Sequence, residues 1–121
     1  MKSKEVVRAL GALAQENRLA VFRLLVEQGL EGLSPGAIAK RLGIAAPTLS
    51  FHLKELASAG LIGAEQNGRS IQYSVNFIAM RELIEFLYEN CCGAGVPGCG
   101  SECAPNLGVK VVQPRASRSK R

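Results

Sequence analysis

Hydrophobic residues recur every three or four positions along five stretches of this chain, which is the spacing of one buried face on an α-helix. The stretches are residues 5–14, 18–28, 35–42, 47–59 and 77–90. Near residue 71 the period changes to two, because Ile71, Tyr73 and Val75 alternate with polar residues, and this alternation indicates a strand. The pattern therefore predicts a mostly α-helical domain with one β-hairpin.

The third and fourth helices are separated by a tight turn. Ser34 and Pro35 are typical of a helix start, since a hydroxyl caps the first turn and proline is tolerated within it. Gly43 suits a turn position with positive φ, Pro47 opens the next helix and Gly60 ends it. Such a helix-turn-helix can place its second helix in a DNA major groove, although an ordinary helical hairpin has the same outline.

A hairpin follows the fourth helix. Asn67-Gly68 between two short runs predicts a type I′ turn, whose two central residues both need positive φ. A helix-turn-helix followed by a hairpin is a winged helix-turn-helix domain. Arg69 at the tip of the wing is either a ligand for phosphate or a narrow minor groove, or a solvated turn residue.

The outward face of the fourth helix is the predicted DNA-reading surface. Its polar and aromatic side chains would contact base edges or thymine methyl groups, while basic residues there and on the wing would contact phosphates. His52 has two interpretations, as a base-reading residue or as a structural hydrogen-bonding residue at the edge of the core. The predicted DNA-binding residues are Lys40, Thr48, Ser50, Phe51, His52, Lys54 and Arg69.

The net charge of +5 does not identify a basic DNA-binding face. Five of the fifteen basic residues follow Val109, and all ten acidic residues are glutamates that precede residue 103, so the rest of the chain is formally neutral. We predict that residues 104–121 form a disordered basic tail, either solvated or attracted to phosphates. The prediction of DNA binding therefore rests on the motif.

The first and last helices carry more apolar surface than a small winged core can cover. A homodimer through these terminal helices, with Leu83 and Leu87 at the contact, would bury that surface. It would also present two recognition helices to operator half-sites about one helical turn apart. The predicted domain for DNA binding and dimerisation is residues 1–90.

Four cysteines are concentrated in residues 91–103. Cys91 and Cys92 are predicted to lie at the end of the last helix, and Cys99 and Cys103 follow a glycine-rich loop. Zinc accepts four thiolates, although an adjacent pair is less typical of its sites. Trivalent arsenic or antimony takes three sulfurs, and a vicinal disulfide would be strained and reducible. The segment is therefore a candidate soft-ligand site.

The chain resembles the arsenic-responsive (ArsR/SmtB) winged-helix repressors. The resemblance is carried by LAQENRLAVFRLL at residues 13–25, by LSFHLKELASAGLI at residues 49–62 and by the Gly68-Arg69 wing. It implies a repressor that binds operator DNA as a dimer and releases it when As(III), or Sb(III) or methylated As(III), binds the thiolates. Several members have a vicinal cysteine pair with a third cysteine downstream, which Cys91, Cys92 and Cys99 match, with Cys103 as an alternative third ligand.

Two other functions are compatible with four cysteines. A thiol reductase is disfavoured because no Cys-x-x-Cys motif follows a strand and no phosphate loop is present, so we expect no enzyme. A redox-regulated repressor, or one that senses another metal, would use the same cysteines. No cofactor is expected for DNA binding. Because no signal-peptide pattern or apolar span is found, we expect a cytoplasmic protein without a membrane partner.

Overall fold

The computed structural model describes residues 1–91, and its architecture is the predicted winged helix-turn-helix. The helices are α1 (Ser3–Leu13), α2 (Glu16–Gln28), α3 (Pro35–Leu42), α4 (Ala46–Ser58) and α5 (Phe77–Tyr88); the strands β1 (Ile62–Asn67) and β2 (Ser70–Val75) lie between α4 and α5. A turn of 3₁₀ helix at Gly29–Glu31 follows α2. The chain divides into two units between Met80 and Arg81, and the second is described only as far as Cys91.

The core of the first unit is built around α2 and α4. Helix α2 contacts α1, α3, α4 and β2, so it lies at the centre of the packing. Helix α4 contributes a stripe at the predicted spacing, with Leu49, Leu53 and Leu56 all buried. Other members of the core are Val6, Ala9, Val21, Leu25, Ile38, Leu61 and Val75. Burial of these side chains is the main stabilising term for the domain.

The ends of the helices follow local sequence signals. The Ala37 backbone N–H donates to Ser34 Oγ (3.2 Å), and Gly43 adopts the left-handed conformation with φ of +67°. The Ala79 backbone N–H donates to Asn76 Oδ1 (3.1 Å), so Asn76 caps the start of α5. These side-chain acceptors satisfy amide groups that the first turn of a helix cannot pair.

The wing differs from its prediction by one residue. The strands pair antiparallel from Ile62 with Val75 to Asn67 with Ser70, so the two central turn residues are Gly68 and Arg69. Gly68 has φ of +64°, whereas Asn67 and Arg69 do not have positive φ, so the predicted type I′ turn at Asn67-Gly68 is wrong. Glycine at the first central position is typical of a type II′ turn. The shift carries Arg69 into the turn itself.

A backbone bridge attaches the wing to the segment before α3. The Leu33 N–H donates to the Tyr73 carbonyl (2.9 Å) and the Tyr73 N–H donates to the Leu33 carbonyl (2.8 Å). The preceding residue, Gly32, has φ of +72°, and a Cβ there would lie 2.3 Å from the Tyr73 carbonyl oxygen. This approach of two backbones requires glycine.

Exposed apolar side chains occur on both terminal helices. On α1 these are Val7 and Leu10, and on α5 they include Ile78 and Leu87, of which Leu87 is 59% exposed. Leu83 is only 6% exposed, so the prediction that it lies at a dimer contact is wrong, because its side chain is already buried within the chain. Among the described helices, none is long and apolar enough to span a membrane.

Candidate nucleic-acid interface

Helix α4 presents a polar and aromatic surface on the side opposite its buried leucines. Thr48, Phe51 and Lys54 follow one another at three-residue steps and are all exposed, as is Ser50. Phe51 is 55% exposed, which is unusual for a large aromatic side chain in a monomeric domain. We call Thr48, Ser50, Phe51 and Lys54 the reading face of α4. It combines hydroxyl groups, an apolar ring and a cation, the groups that hydrogen-bond base edges, contact thymine methyl groups and contact phosphates.

His52 does not belong to the reading face. Its side chain is 6% exposed, and Nδ1 lies 3.5 Å from a terminal guanidinium nitrogen of Arg18. A buried ring cannot reach base edges, so the base-reading interpretation of His52 is wrong and the structural interpretation holds. The spacing contains the reason: His52 lies three residues after Leu49 and four before Leu56, in the buried stripe.

Two other predicted DNA contacts lie outside α4. Lys40 is exposed in the last turn of α3, where a cation also stabilises the negative end of the helix dipole. Arg69 is exposed in the turn of the wing, and the side-chain amide of Gln66 donates to the Gly68 carbonyl (3.1 Å) beside it. This hydrogen bond closes across the turn from which the arginine extends. Contacts of both residues with DNA stay predictions.

The cysteine segment is described only at its first residue. Helix α5 ends at Tyr88, two residues earlier than predicted, and Asn90 adopts φ of +61°. Cys91 therefore lies on a turn after the helix, where its N–H donates to the Tyr88 carbonyl (2.9 Å) and its side chain is half-buried. The predicted end of the last helix at Asn90 is wrong by two residues, because Asn90 adopts a left-handed conformation, and Cys91 follows it on the turn.

The remaining predicted ligands, Cys92, Cys99 and Cys103, lie outside the described residues, as does the tail at 104–121. Between Met1 and Cys91, no group of three or more His, Cys, Asp or Glu side chains could hold a metal ion. The metalloid site thus stays a prediction from the sequence.

Sequence reasoning missed the role of Arg18. Its backbone N–H is capped by Gln15 Oε1 (2.9 Å), and its Nε donates to the Ala12 carbonyl (2.7 Å) at the end of α1. A second arginine, Arg8, donates to Ser58 Oγ at the end of α4. Spacing along the chain contains no signal for the two arginine side-chain contacts, because they join residues of different helices.

Comparison with known proteins agrees with this geometry. A family model described as a helix-turn-helix domain matches residues 13–62. The biofilm growth-associated repressor of Xylella fastidiosa is 30% identical over 91 residues, which are 75% of this chain and 77% of that protein. The nodulation protein NolR of Rhizobium meliloti is 29% identical over 62% of this chain, and the match spans 59% of its length.

Solved structures show the likeness over about 70% of the chain. An ArsR-like transcriptional regulator from Rhodococcus sp. RHA1 has a TM-score of 0.63 and 25% identity, over 69% of this chain and 76% of that one. A homodimeric winged helix-turn-helix DNA-binding domain from Mycobacterium bovis, a possible ArsR-family regulator, has a TM-score of 0.55 and 30% identity, over 70% and 83%. With its winged fold and these relatives, the chain belongs to the ArsR/SmtB family of transcriptional repressors, which are DNA-binding regulators and not enzymes.

Proposed function

We propose that this repressor binds a near-palindromic operator as a homodimer and releases it when a trivalent arsenical binds cysteine thiolates at residues 91–103. The observation that carries the operator-binding half is the exposed reading face of α4, where Phe51 and its polar neighbours are turned away from the core. In a winged helix-turn-helix domain the second helix of the motif enters the major groove. Thr48, Ser50 and Phe51 then read bases, and Lys54, Lys40 and Arg69 contact phosphates.

Two observations support the dimer. Helices α1 and α5 each leave large apolar side chains in water, among them Val7 and Leu87, and a second copy of the chain would cover them. The related domain from Mycobacterium bovis is homodimeric. Two copies related by a twofold axis present two copies of α4 to two half-sites, which explains why the operator is expected to be palindromic.

The inducer half of the proposal rests on the chemistry of the thiols. Arsenous acid carries three hydroxyl groups, and three thiols displace them as three water molecules to leave a neutral tris-thiolate. Cys91, Cys92 and Cys99 would supply the sulfurs, with Cys103 as the alternative third ligand. Because the net charge changes little, the switch must act through geometry, with a coupling free energy of about 1–3 kcal/mol.

The position of Cys91 alters how that geometry would change. A centre that includes Cys91 forms on the turn after α5, beyond the left-handed Asn90, so it need not unwind the helix. Binding would instead restrict the turn that follows Tyr88, one of the exposed apolar residues of α5. In this proposal the inducer alters the end of a dimerisation helix and hence the spacing of the two reading faces.

One titration tests the proposal. A duplex recovered from a random-sequence library by the wild-type chain serves as the operator probe, and release is measured with arsenite and separately with hydrogen peroxide. Arsenite should release the duplex, and a dithiol should restore binding because it competes for the metalloid. Release by peroxide and not by arsenite would instead identify a redox-regulated repressor.

The thiols should separate into two classes. Cys91→Ser and Cys92→Ser should each abolish release by arsenite and methylarsenite while leaving repression intact, because these two thiols are the nearest to α5 in sequence and the switch requires both of them on the arsenic. Cys99→Ser should abolish release by arsenite, which takes three sulfurs, but spare release by methylarsenite, which needs two. The measurement is the inducer concentration that releases half of the bound duplex.

Cys103→Ser is the matched control, and it should behave as the wild type if Cys99 is the third ligand. Exchanged results for Cys99→Ser and Cys103→Ser would make Cys103 the ligand. Arsenite release that survives both Cys91→Ser and Cys92→Ser would contradict the metalloid site.

The phosphate contacts have a separate signature. Lys54→Ala and Arg69→Ala should each weaken operator binding and reduce the slope of log K against log salt by about 0.9, because each releases one condensed counterion fewer. Lys4→Ala and Arg23→Ala remove the same charges from exposed positions on α1 and α2 and should leave the slope unchanged. Equal slopes in all four variants would contradict the docking of α4 and the wing.

A further inference from the structure

Arg18 joins three helices through one side chain. From the start of α2 its Nε donates to the Ala12 carbonyl of α1 (2.7 Å), and a terminal nitrogen lies 3.5 Å from His52 Nδ1 on α4. The Ala12 carbonyl is near the end of α1, where a helix has no N–H groups of its own to pair such acceptors. The guanidinium therefore contacts an acceptor atom on α1 and another on α4 at the same time.

A second contact ties α1 to α4 at another level. Arg8, four residues before Ala12, donates to Ser58, which lies six residues after His52. The two helices therefore run antiparallel, and the ties are separated by about 6 Å along α1 and about 9 Å along α4, at 1.5 Å per residue. Two ties at different levels restrict both the sliding and the rotation of α4 against α1.

The contact between Arg18 and His52 depends on the rotation of α4 about its axis. A guanidinium can only donate, so this contact is a hydrogen bond in the His52 tautomer whose ring hydrogen lies on Nε2 and whose Nδ1 accepts. At a helix radius of about 5–6 Å, turning α4 by roughly 20° would move a side chain by about 2 Å and break this contact. Phe51 is adjacent in sequence, and its ring centroid lies 5.8 Å from that of His52. Phe51 and His52 therefore move together when α4 turns.

We propose that Arg18 and His52 form a positioning pair that sets the rotation of α4 against α1, and thereby the affinity and selectivity for operator DNA, without touching DNA. The inference rests on the proposed reading of operator DNA by α4 and is independent of the metalloid site. Because α1 also carries exposed apolar residues, the pair connects a proposed dimerisation helix directly to the helix that reads the bases.

Arg18→Met and His52→Leu test the pair on the library-selected duplex and on an unrelated duplex of equal length. Each should weaken binding to the selected duplex at least about tenfold but change binding to the unrelated duplex less than about twofold, since charge attraction needs no exact rotation of α4. The salt slope should stay unchanged, unlike in Lys54→Ala. Arg23→Met removes the same charge from an exposed site on α2 and should match the wild type.

Conservative variants distinguish positioning from loss of structure. His52→Asn places an amide oxygen near the position of Nδ1 and should restore most of the affinity. The double variant should bind no more than about twofold more weakly than the weaker single variant, because the two residues act as one unit. Since the chain has a single histidine, its imidazole nitrogen signals are unambiguous, and they should show the Nε2-protonated tautomer and change in Arg18→Met.

Four outcomes would contradict the positioning pair. Two concern affinity: operator affinities of Arg18→Met and His52→Leu equal to that of Arg23→Met, or additive losses of affinity in the double variant. The others are a salt slope of operator binding reduced by about 0.9 in either single variant, and an Nδ1-protonated His52 in the wild type. If Arg18→Met and His52→Leu fail to fold, Arg18→Lys and His52→Asn replace them. The single nitrogen of lysine cannot make both contacts of Arg18. Wild-type affinity in Arg18→Lys would therefore also contradict the positioning pair. Lys54→Ala separates the two proposals. Unchanged binding in Lys54→Ala would contradict reading by α4 itself, whereas weakened binding there beside unchanged Arg18 and His52 variants would contradict the positioning pair alone.

Discussion

Gly32→Ala is expected to lower the free energy of unfolding by about 2–5 kcal/mol. Gly32 has φ of +72° and ψ of −174°, a region that is essentially restricted to glycine. A Cβ there would also lie 2.3 Å from the Tyr73 carbonyl oxygen, so the bridge between Leu33 and Tyr73 would have to open. The estimate combines about 1–2 kcal/mol for the dihedral angles with about 1–3 kcal/mol for overpacking.

Gly29→Ala is the matched control for this prediction. Gly29 has φ of +80° and ψ of −155°, in the same region, but a Cβ there would have no neighbour within 4 Å. It should therefore show the dihedral cost alone, about 1–2 kcal/mol, in urea-induced unfolding. Equal losses in the two variants would show that the contact with Tyr73 contributes nothing. The wing would then be held in place by its other contacts.

Leu87→Glu is expected to dissociate the dimer and to weaken operator binding by about 10³-fold, to the level of non-specific DNA. The side chain is 59% exposed on α5, so the isolated chain should still fold, whereas a charge buried at a dimer contact would be strongly unfavourable. Val7→Glu should have the same effect from α1, where Val7 is 66% exposed. Sedimentation equilibrium should then give the monomer mass of 12.9 kDa.

Leu30→Glu makes the same chemical change at a leucine that is 84% exposed on the 3₁₀ turn, which belongs to neither terminal helix. It adds the same negative charge, so any general repulsion from DNA is matched, and the variant should remain a dimer with near wild-type affinity. A dimer that persists in Leu87→Glu and Val7→Glu would contradict assembly through the terminal helices. Leu83→Glu is unsuitable for this test because Leu83 is buried within the chain.

The helices and their caps could be predicted because their causes are local. Ser34, Gly43 and Asn76 act on backbone groups within three or four residues, so their positions alone indicate where helices begin and end. The stripe of α4 was predicted for the same reason. The turn of the wing was displaced by one residue because pairing between two strands, and not the Asn-Gly dipeptide, determines which residues are central.

Among the site residues, too, those that depend on local spacing could be predicted and those that depend on a distant partner could not. Thr48, Phe51 and Lys54 follow from the helical period, and the structure leaves them exposed as predicted. His52 had two interpretations in the sequence, and the structure selected between them by placing its ring beside Arg18. The contact joins residues 34 positions apart, and no periodicity along one helix carries information about a partner on another.

The sequence by itself determined the order of the helices, the caps, the reading face and the presence of a thiol-rich segment, because each depends on spacing within about one or two helical turns. Only the tertiary structure decided that the ring of His52 lies beside Arg18 and that Gly32 abuts Tyr73. Each of these depends on which surfaces meet when distant segments pack. In the proposed function, the packing of α1, α2 and α4 thus sets the orientation of the helix that reads DNA.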